Sequence, residues 1–225
     1  MILITGASKG VGKYLFDYYL SKKEDVFGTY NSTILHSENG RYTKIDISNN
    51  EDVENWINSL TLKKEITLIN CAGITYNAFT HKSDPYSWKN VIDVNLMGVY
   101  FAIRAILPYM RENKYGRIIN FSSVAAQKGT PGVSAYAASK SALWGLSKTI
   151  AMENGSLGIT INNINLGYSE LGMIEAVPEK FKEQIKSEIP GGEFCTKENI
   201  VNCVEFLRQN SYTNGSSVDL NGGIF

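Results

Sequence analysis

"MILITGASKGVG" (Met1–Gly12) passes from an apolar, β-branched run directly into a turn holding Gly6, Gly10 and Gly12. A short continuous apolar run closed by glycine reads as a strand buried on both faces. The residues behind it, about Val11 to Lys22, have the amphipathic pattern of a helix. Glycines at these positions permit a tight turn and let backbone approach a phosphate closely. The helix behind them aims its amide donors and positive dipole end at the same anion. Buried strand, glycine turn and helix in that order point to a dinucleotide site in an α/β domain.

Outward from this unit, strand and helix signals alternate. "VFGTY" (Val26–Tyr30) and "RYTKIDI" (Arg41–Ile47) read as strands two and three. Ser48 and Glu51 have capping-box spacing and start a helix to about Leu60. "ITLIN" (Ile66–Asn70) is strand four, a long helix covers about Trp88 to Met110, and "GRIINF" (Gly116–Phe121) is strand five. A helix from Ser134 to about Glu153, "ITINNIN" (Ile159–Asn165), a helix near Asn199–Gln209 and a strand at Ser217–Leu220 complete the series. Such alternation predicts a parallel sheet covered on both faces. The join between strands two and three, "NSTILHSENG", has ten residues. A parallel crossover takes about a dozen or more, so the helix there is reduced to a turn or lost.

The 225 residues fit one domain, 1–225, with no repeat or low-complexity linker. Lys+Arg and Asp+Glu are both 22, so no global charge calls for nucleic acid or an anionic membrane. No uninterrupted apolar run approaches the roughly 20 residues of a membrane span. Cys71, Cys195 and Cys203 lack metal-ligand spacing and read as reduced thiols. His36 and His81 read as surface residues, no metal site is expected, and a cytoplasmic location follows.

The nucleotide's ribose end is read at strand two. An NAD site carries an Asp or Glu about 20 residues beyond the glycines. Here the strand ends Thr29-Tyr30-Asn31, and Asp25 sits at its opposite end. Lys9 in the glycine loop is placed to meet a 2′-phosphate as a point charge. NADP(H) is favoured, with NAD(H) the alternative.

"TGASKGVG" (Thr5–Gly12), "INCAG" (Ile69–Gly73), "NVIDVNLMGV" (Asn90–Val99), "GRIINFSSVAA" (Gly116–Ala126), "AYAASKSAL" (Ala135–Leu143) and "VDLNGG" (Val218–Gly223) occur in one order. In that order and spacing the chain resembles the short-chain dehydrogenase/reductase family nearly end to end. Within it the chain is most similar to 3-oxoacyl-[acyl-carrier-protein] reductases. The resemblance implies a three-layer Rossmann fold: a seven-stranded, mostly parallel, doubly wound sheet with helices on both faces. It also implies a homo-oligomer, tetramer or dimer, built on two long helices.

Carried over by position, the resemblance implies a catalytic set of Asn95, Ser123, Tyr136 and Lys140. Gly6, Ser8, Lys9, Gly10, Val11 and Gly12 would hold the nucleotide's phosphates, with Tyr30 and Asn31 beyond them. Asp46 and Ile47 would meet adenine, Asn70, Cys71, Ala72 and Gly73 the adenosine ribose side, and Gly167 and Ser169 the nicotinamide. Tyr136 and Lys140 would contact the cofactor as well, and Asn95 would order a water linking Lys140 to solvent.

The chemistry explains the Tyr–Lys spacing. Residues four apart share a helix face. A phenol of pKa ~10 is a poor base at neutral pH, and lowering it by about three units takes roughly 4 kcal/mol. One ammonium about 4 Å away supplies roughly that at an effective dielectric near 20. Ser123 would hold the substrate oxygen, and Lys140 would also bond the nicotinamide ribose.

At strand six the family reads Asn-x-x-Pro-Gly followed by Ile-x-Thr, whereas this chain has Leu166, Ser169 and Leu171 at the Pro, Ile and Thr places. Losing the proline should loosen φ at that bend. Cys71 replaces an Asn as a small buried thiol. Leu157 replaces a basic residue at the site entrance, while Lys114 keeps its charge at another such place. Residues 168–190 form a substrate flap, with a short helix packing one side on the site. The substrate is a small molecule or thioester: a 3-oxoacyl group on acyl carrier protein or coenzyme A, or another ketone, alcohol or sugar derivative. A silent dinucleotide-binding regulator is the third reading.

Overall fold

The computed structural model describes residues 1–33, 40–172, 174 and 177–224. Its strands are β1 (Ile2–Thr5), β2 (Val26–Tyr30), β3 (Tyr42–Lys44), β4 (Thr67–Asn70), β5 (Gly116–Ser123), β6 (Ile159–Leu166) and β7 (Ser217–Leu220). Its helices are α1 (Gly10–Ser21), α2 (Asn50–Ser59), α3 (Pro85–Ile92), α4 (Gly98–Asn113), α5 (Ala125–Lys128), α6 (Ser134–Asn154), α7 (Glu179–Ser187) and α8 (Lys197–Gln209). One seven-stranded sheet results, in the order β3-β2-β1-β4-β5-β6-β7, with every pairing parallel. The order reverses beside β1, and ligands bind at the carboxyl ends of strands flanking such a switch point.

Both faces are covered, which is why the strands read as continuous apolar runs. Leu15, Phe16 and Tyr19 of α1 and Ile200, Val204 and Leu207 of α8 pack on one face with Ile2, Ile4 and Ile69. Trp56 of α2, Ile103 and Ile106 of α4 and Leu143 of α6 pack on the other with Leu3, Leu68 and Ile118.

Several boundaries differ from the sequence reading. The cap of α2 is Asn49, whose carboxamide accepts from the Glu51 and Asp52 amides, while Ser48 donates to Asp46. Asn49 wins because its short amide already sits in the extended conformation of a cap. The expected helix from Trp88 begins earlier, at Pro85 behind the Asp84 cap, and runs to Asn113. A π turn at Asp93–Met97 interrupts it. This segment is the one described helix long and apolar enough to cross a bilayer, but Val99, Ala102, Ile103, Ile106 and Met110 are buried inside the fold. Strand β3 is shorter than expected. At the bend where the family has proline, Leu166 is the last residue of β6, paired with Ser123 and Leu220, and its carbonyl accepts from Val124 N. The shortened crossover and His36 lie largely outside the described residues.

A polar row crosses this apolar sheet. Thr5, Asn70, Asn120, Asn163 and Ser217 occupy one register line through five strands. Asn70 donates to Asn120 Oδ1 (2.8 Å), Asn120 to Asn163 Oδ1 (3.3 Å) and Asn163 to Ser217 Oγ (3.1 Å). Ser147 of α6 joins them, accepting from Asn120 and donating to Asn163. The row ends β1 and β4, crosses the middle of β5 and β6 and meets the first residue of β7, so it ties the ends of β1 and β4 under the site to the rest of the sheet.

Candidate active site

A cleft of about 680 Å³ opens over the carboxyl ends of β1, β2, β4 and β5. Its floor begins with the glycine loop. Gly6 and Gly10 have φ of +68° and +54°, a region that disfavours side chains. A Cβ on Gly12 would stand 2.3 Å from the Gly6 carbonyl oxygen, so the turn closes only around glycine. Helix α1 starts at this turn without a side-chain cap and without an acidic residue in its first turn. Its N-terminal amides are therefore left for an anion.

Of the residues expected at the nucleotide, Gly6, Ser8, Lys9, Gly10, Val11, Gly12, Tyr30, Asn31, Asp46, Ile47, Cys71, Ala72, Gly73, Gly167 and Ser169 line this cleft, as do Tyr136 and Lys140. Asn70 does not: its amide belongs to the polar row under the floor. Ser8 donates to Thr33 Oγ1 (3.0 Å), which draws the end of β2 over the glycine loop. Lys9 is exposed on the rim and pairs with no carboxylate among the described residues. Asp25 is far from this rim, held at the opposite end of β2 by Arg41 (3.3 Å) and Lys63 (2.8 Å).

On the other side of the cleft, β5 and α6 bring Ser123, Tyr136 and Lys140 together. Ser123 and Tyr136 line the same wall of the cleft, and Ser123 Oγ accepts from Ala125 N (3.2 Å). Lys140 Nζ lies 5.7 Å from the Tyr136 ring centroid and donates to the Phe121 carbonyl (2.6 Å). Burial holds the Tyr136 phenol above its ordinary value, with the nearby Ser123 side chain pulling the other way. Burial also lowers the Lys140 ammonium to about 8, with the Cys71 thiol opposing. The expected lowering of the phenol by Lys140 is thus not produced by the chain alone. Leaving water penalises both charges, and the ammonium is directed to a backbone carbonyl.

Asn95 stands near Lys140, both of them beside Gly73. It is fully buried in the π turn, behind Gly73. Its carboxamide accepts from Ile74 N (2.8 Å) and donates to Ile74 O (2.9 Å) and Ser139 Oγ (3.1 Å). It fixes the cleft wall after β4, and the extra residue of the π turn aims it there. Burial also encloses the Cys71 thiol and pushes it well up. The segment expected to form a flap is tied to the body where Ser169 bridges Cys195. Helix α7 forms as expected, but none of its residues is buried, and Lys182 and Lys186 line a smaller cavity with Glu170 and Phe194.

Ser122, Phe121, Thr33, Ile74 and Thr75 also line the cleft and were not singled out from sequence. The Phe121 contact is made by a backbone carbonyl, which no side-chain pattern announces.

Comparison with known proteins agrees with this geometry. The family model described as short chain dehydrogenase matches residues 1–182. An acetoacetyl-CoA reductase of Rhizobium meliloti (strain 1021) is 41% identical over 159 residues, 69% of this chain and 66% of that protein. A 3-oxoacyl-[acyl-carrier-protein] reductase of Thermotoga maritima is 32% identical over 237 aligned positions, covering 99% and 96%. The ligand-free aldohexose dehydrogenase of Thermoplasma acidophilum superposes with a TM-score of 0.89 at 26% identity, covering 99% of this chain and 93% of that one. Sheet order, glycine loop and family match together establish that the chain belongs to the short-chain dehydrogenase family, oxidoreductases that work with a nicotinamide dinucleotide.

Proposed function

We propose that this protein is an NADP(H)-dependent oxidoreductase of the cytoplasm that interconverts a ketone and a secondary alcohol, with 3-oxoacyl thioesters as its first substrates. The observation that carries the reading is the meeting of Ser123, Tyr136 and Lys140 on one wall of the cleft that the glycine loop floors.

The residues present fit a dinucleotide. Glycine fills the places where a Cβ would collide, and uncapped α1 amides face the cleft. Gly6 to Gly12 would hold its phosphates, Asp46 and Ile47 the adenine, and Gly167 and Ser169 the nicotinamide side. When bound, the nicotinamide supplies or accepts the hydride. Lys9 on the rim and the absence of a carboxylate at the Thr29–Asn31 end of β2 support NADP(H).

The chain's own work is positioning and proton delivery. The Ser123 hydroxyl holds the carbonyl oxygen beside Tyr136. The Tyr136 phenol, kept protonated by burial, gives its proton to that oxygen as negative charge develops there. Lys140 keeps a positive charge behind the phenol and stabilises the phenolate that remains. Met97 and Tyr100 on the outer side of the π-turn helix, both partly exposed, suit a homo-oligomer.

The test follows NADPH absorbance with acetoacetyl-CoA, an acetoacetyl carrier protein and an aldohexose, against Tyr136→Phe. Thioester reduction that vanishes in the variant is the expected result. No turnover of any ketone above the variant would end the proposal. Efficient hexose oxidation with NAD would move the assignment to the sugar-alcohol reading, which the likeness to the aldohexose dehydrogenase supports.

A further inference from the structure

Two of the last three residues of β5 hold Lys140, and the third stands beside Tyr136. Phe121 offers its carbonyl to Lys140 Nζ (2.6 Å), Ser122 Oγ donates to the Lys140 carbonyl (3.0 Å), and Ser123 lines the cleft wall with Tyr136. The proposed reaction therefore depends on how firmly this tripeptide is held against α6. Trp144, one helical turn beyond Lys140, makes that attachment. Its indole N–H is shared between Ser122 Oγ (3.2 Å) and Asn165 Oδ1 (2.9 Å). Asn165, at the penultimate position of β6, donates to the Asp219 carboxylate of β7 (2.6 Å). Asp219 also accepts from Gln127 of α5 (2.8 Å), the short helix that follows Ser123.

We propose that Trp144 is a positioning residue, fastening the end of β5 to α6 and, through Asn165 and Asp219, to the last strand of the sheet. It touches neither substrate nor nucleotide and acts through Ser122 and Asn165. This deepens the proposed function and rests on it for the turnover readout only. The physical reason is that Ser122 and Asn165 are 4% and 2% exposed, where a hydrogen bond resists competition from water and a broken one leaves an unpaired polar group. The register of β5 on α6 then has one geometry and does not slide.

Trp144→Phe keeps the ring and removes the donor. The first readout is the titration of Lys140, followed by NMR of lysine labelled with ¹³C at Cε and assigned by its loss in Lys140→Met. Cys71 and Tyr136 are the titratable groups facing that ammonium. Both are unchanged in the variant. A looser tripeptide admits water, so the Lys140 midpoint should rise by about half a pH unit or more toward its ordinary value. The second readout is steady-state reduction, where kcat should fall ~10-fold while KM for ketone and NADPH changes less than about threefold. A folded Trp144→Phe with an unmoved Lys140 midpoint overturns the inference, whatever its activity. A raised midpoint in a protein that reduces no ketone leaves the inference standing and ends the proposed function instead. Should Trp144→Phe not fold, Asp219→Ala on the exposed surface provides the same test. It should raise the midpoint in the same direction, and Asp219→Asn, which keeps an acceptor oxygen, should restore it. Failure of that rescue, or an unmoved midpoint in Asp219→Ala, overturns the inference.

Discussion

Replacing Lys140 by methionine separates what this residue does for the reaction from what it costs the fold. The side chain is nearly sealed from water, and burial brings its ammonium from 10.5 to about 8. That gap, at ~1.36 kcal/mol per pH unit, corresponds to roughly 3 kcal/mol of linkage between protonation and folding. Between the two values the unfolded chain binds the proton and the folded chain has released it. Stability from this group is therefore full above about 10.5 and is lost as pH falls through about 8. Integrated from pH 7 to pH 10, the wild type should gain about 2.5 kcal/mol on Lys140→Met. At pH 7 the variant should be at least as stable as the wild type. The lost hydrogen bond to Phe121 O costs only about 1 kcal/mol, less than the relief of a buried charge. Urea unfolding of both proteins at pH 7, 8, 9 and 10 gives the difference directly. Cys195, Cys203 and Tyr19, all pushed up by burial, weaken the fold at alkaline pH in both proteins and cancel in that difference. Cys71 does not cancel fully, because it faces Lys140, so the pH 7 to 9 interval is the cleaner one. Turnover should be nearly abolished in the same variant. A stability difference that stays flat from pH 7 to 10 would refute the reasoning, since Lys140 would then be no more buried in function than an ordinary surface lysine.

Three further outcomes follow from particular contacts. Asn120→Leu leaves the Asn70 amide donor without its acceptor inside the sheet and should cost about 2–4 kcal/mol in urea unfolding. Asn70→Leu combined with it should cost clearly less than the sum of the two single changes, because no orphaned partner remains between them. Gly12→Ala, whose Cβ would press on Gly6 O, should remove the thermal stabilisation that ~100-fold excess over Kd of NADPH gives the wild type, about 2.7 kcal/mol by mass action. An undiminished shift would contradict the assignment of the loop. Lys9→Glu should raise the KM for NADPH ~10-fold or more and leave that for NADH within about threefold; equal changes for both would place the 2′-phosphate elsewhere.

Much of the site was legible because its residue types are local. Tyr136 and Lys140 are one helical turn apart, and Gly6, Gly10 and Gly12 share one turn, so spacing alone brings each group together. The Asp84-Pro85 pair is an equally local signal, a cap followed by proline at the first helical position. The partners of Asn70 and Asn95 were not legible, for a different reason. Each lies beside the cleft in sequence, but which way its amide turns depends on partners 50 and 44 residues away, Asn120 and Ser139.

From the chain of residues alone come the alternation of buried strands and helices, the glycine turn and the pairing of a phenol with an amine. These rest on periodicity, steric freedom and short spacing, all properties of neighbours along the backbone. The sheet's register decided the rest: the row of amides from Thr5 to Ser217, the π turn that buries Asn95, and the Phe121 carbonyl that receives Lys140. Those contacts join residues distant in sequence, and only packing tells which polar group loses its water and must find a partner inside.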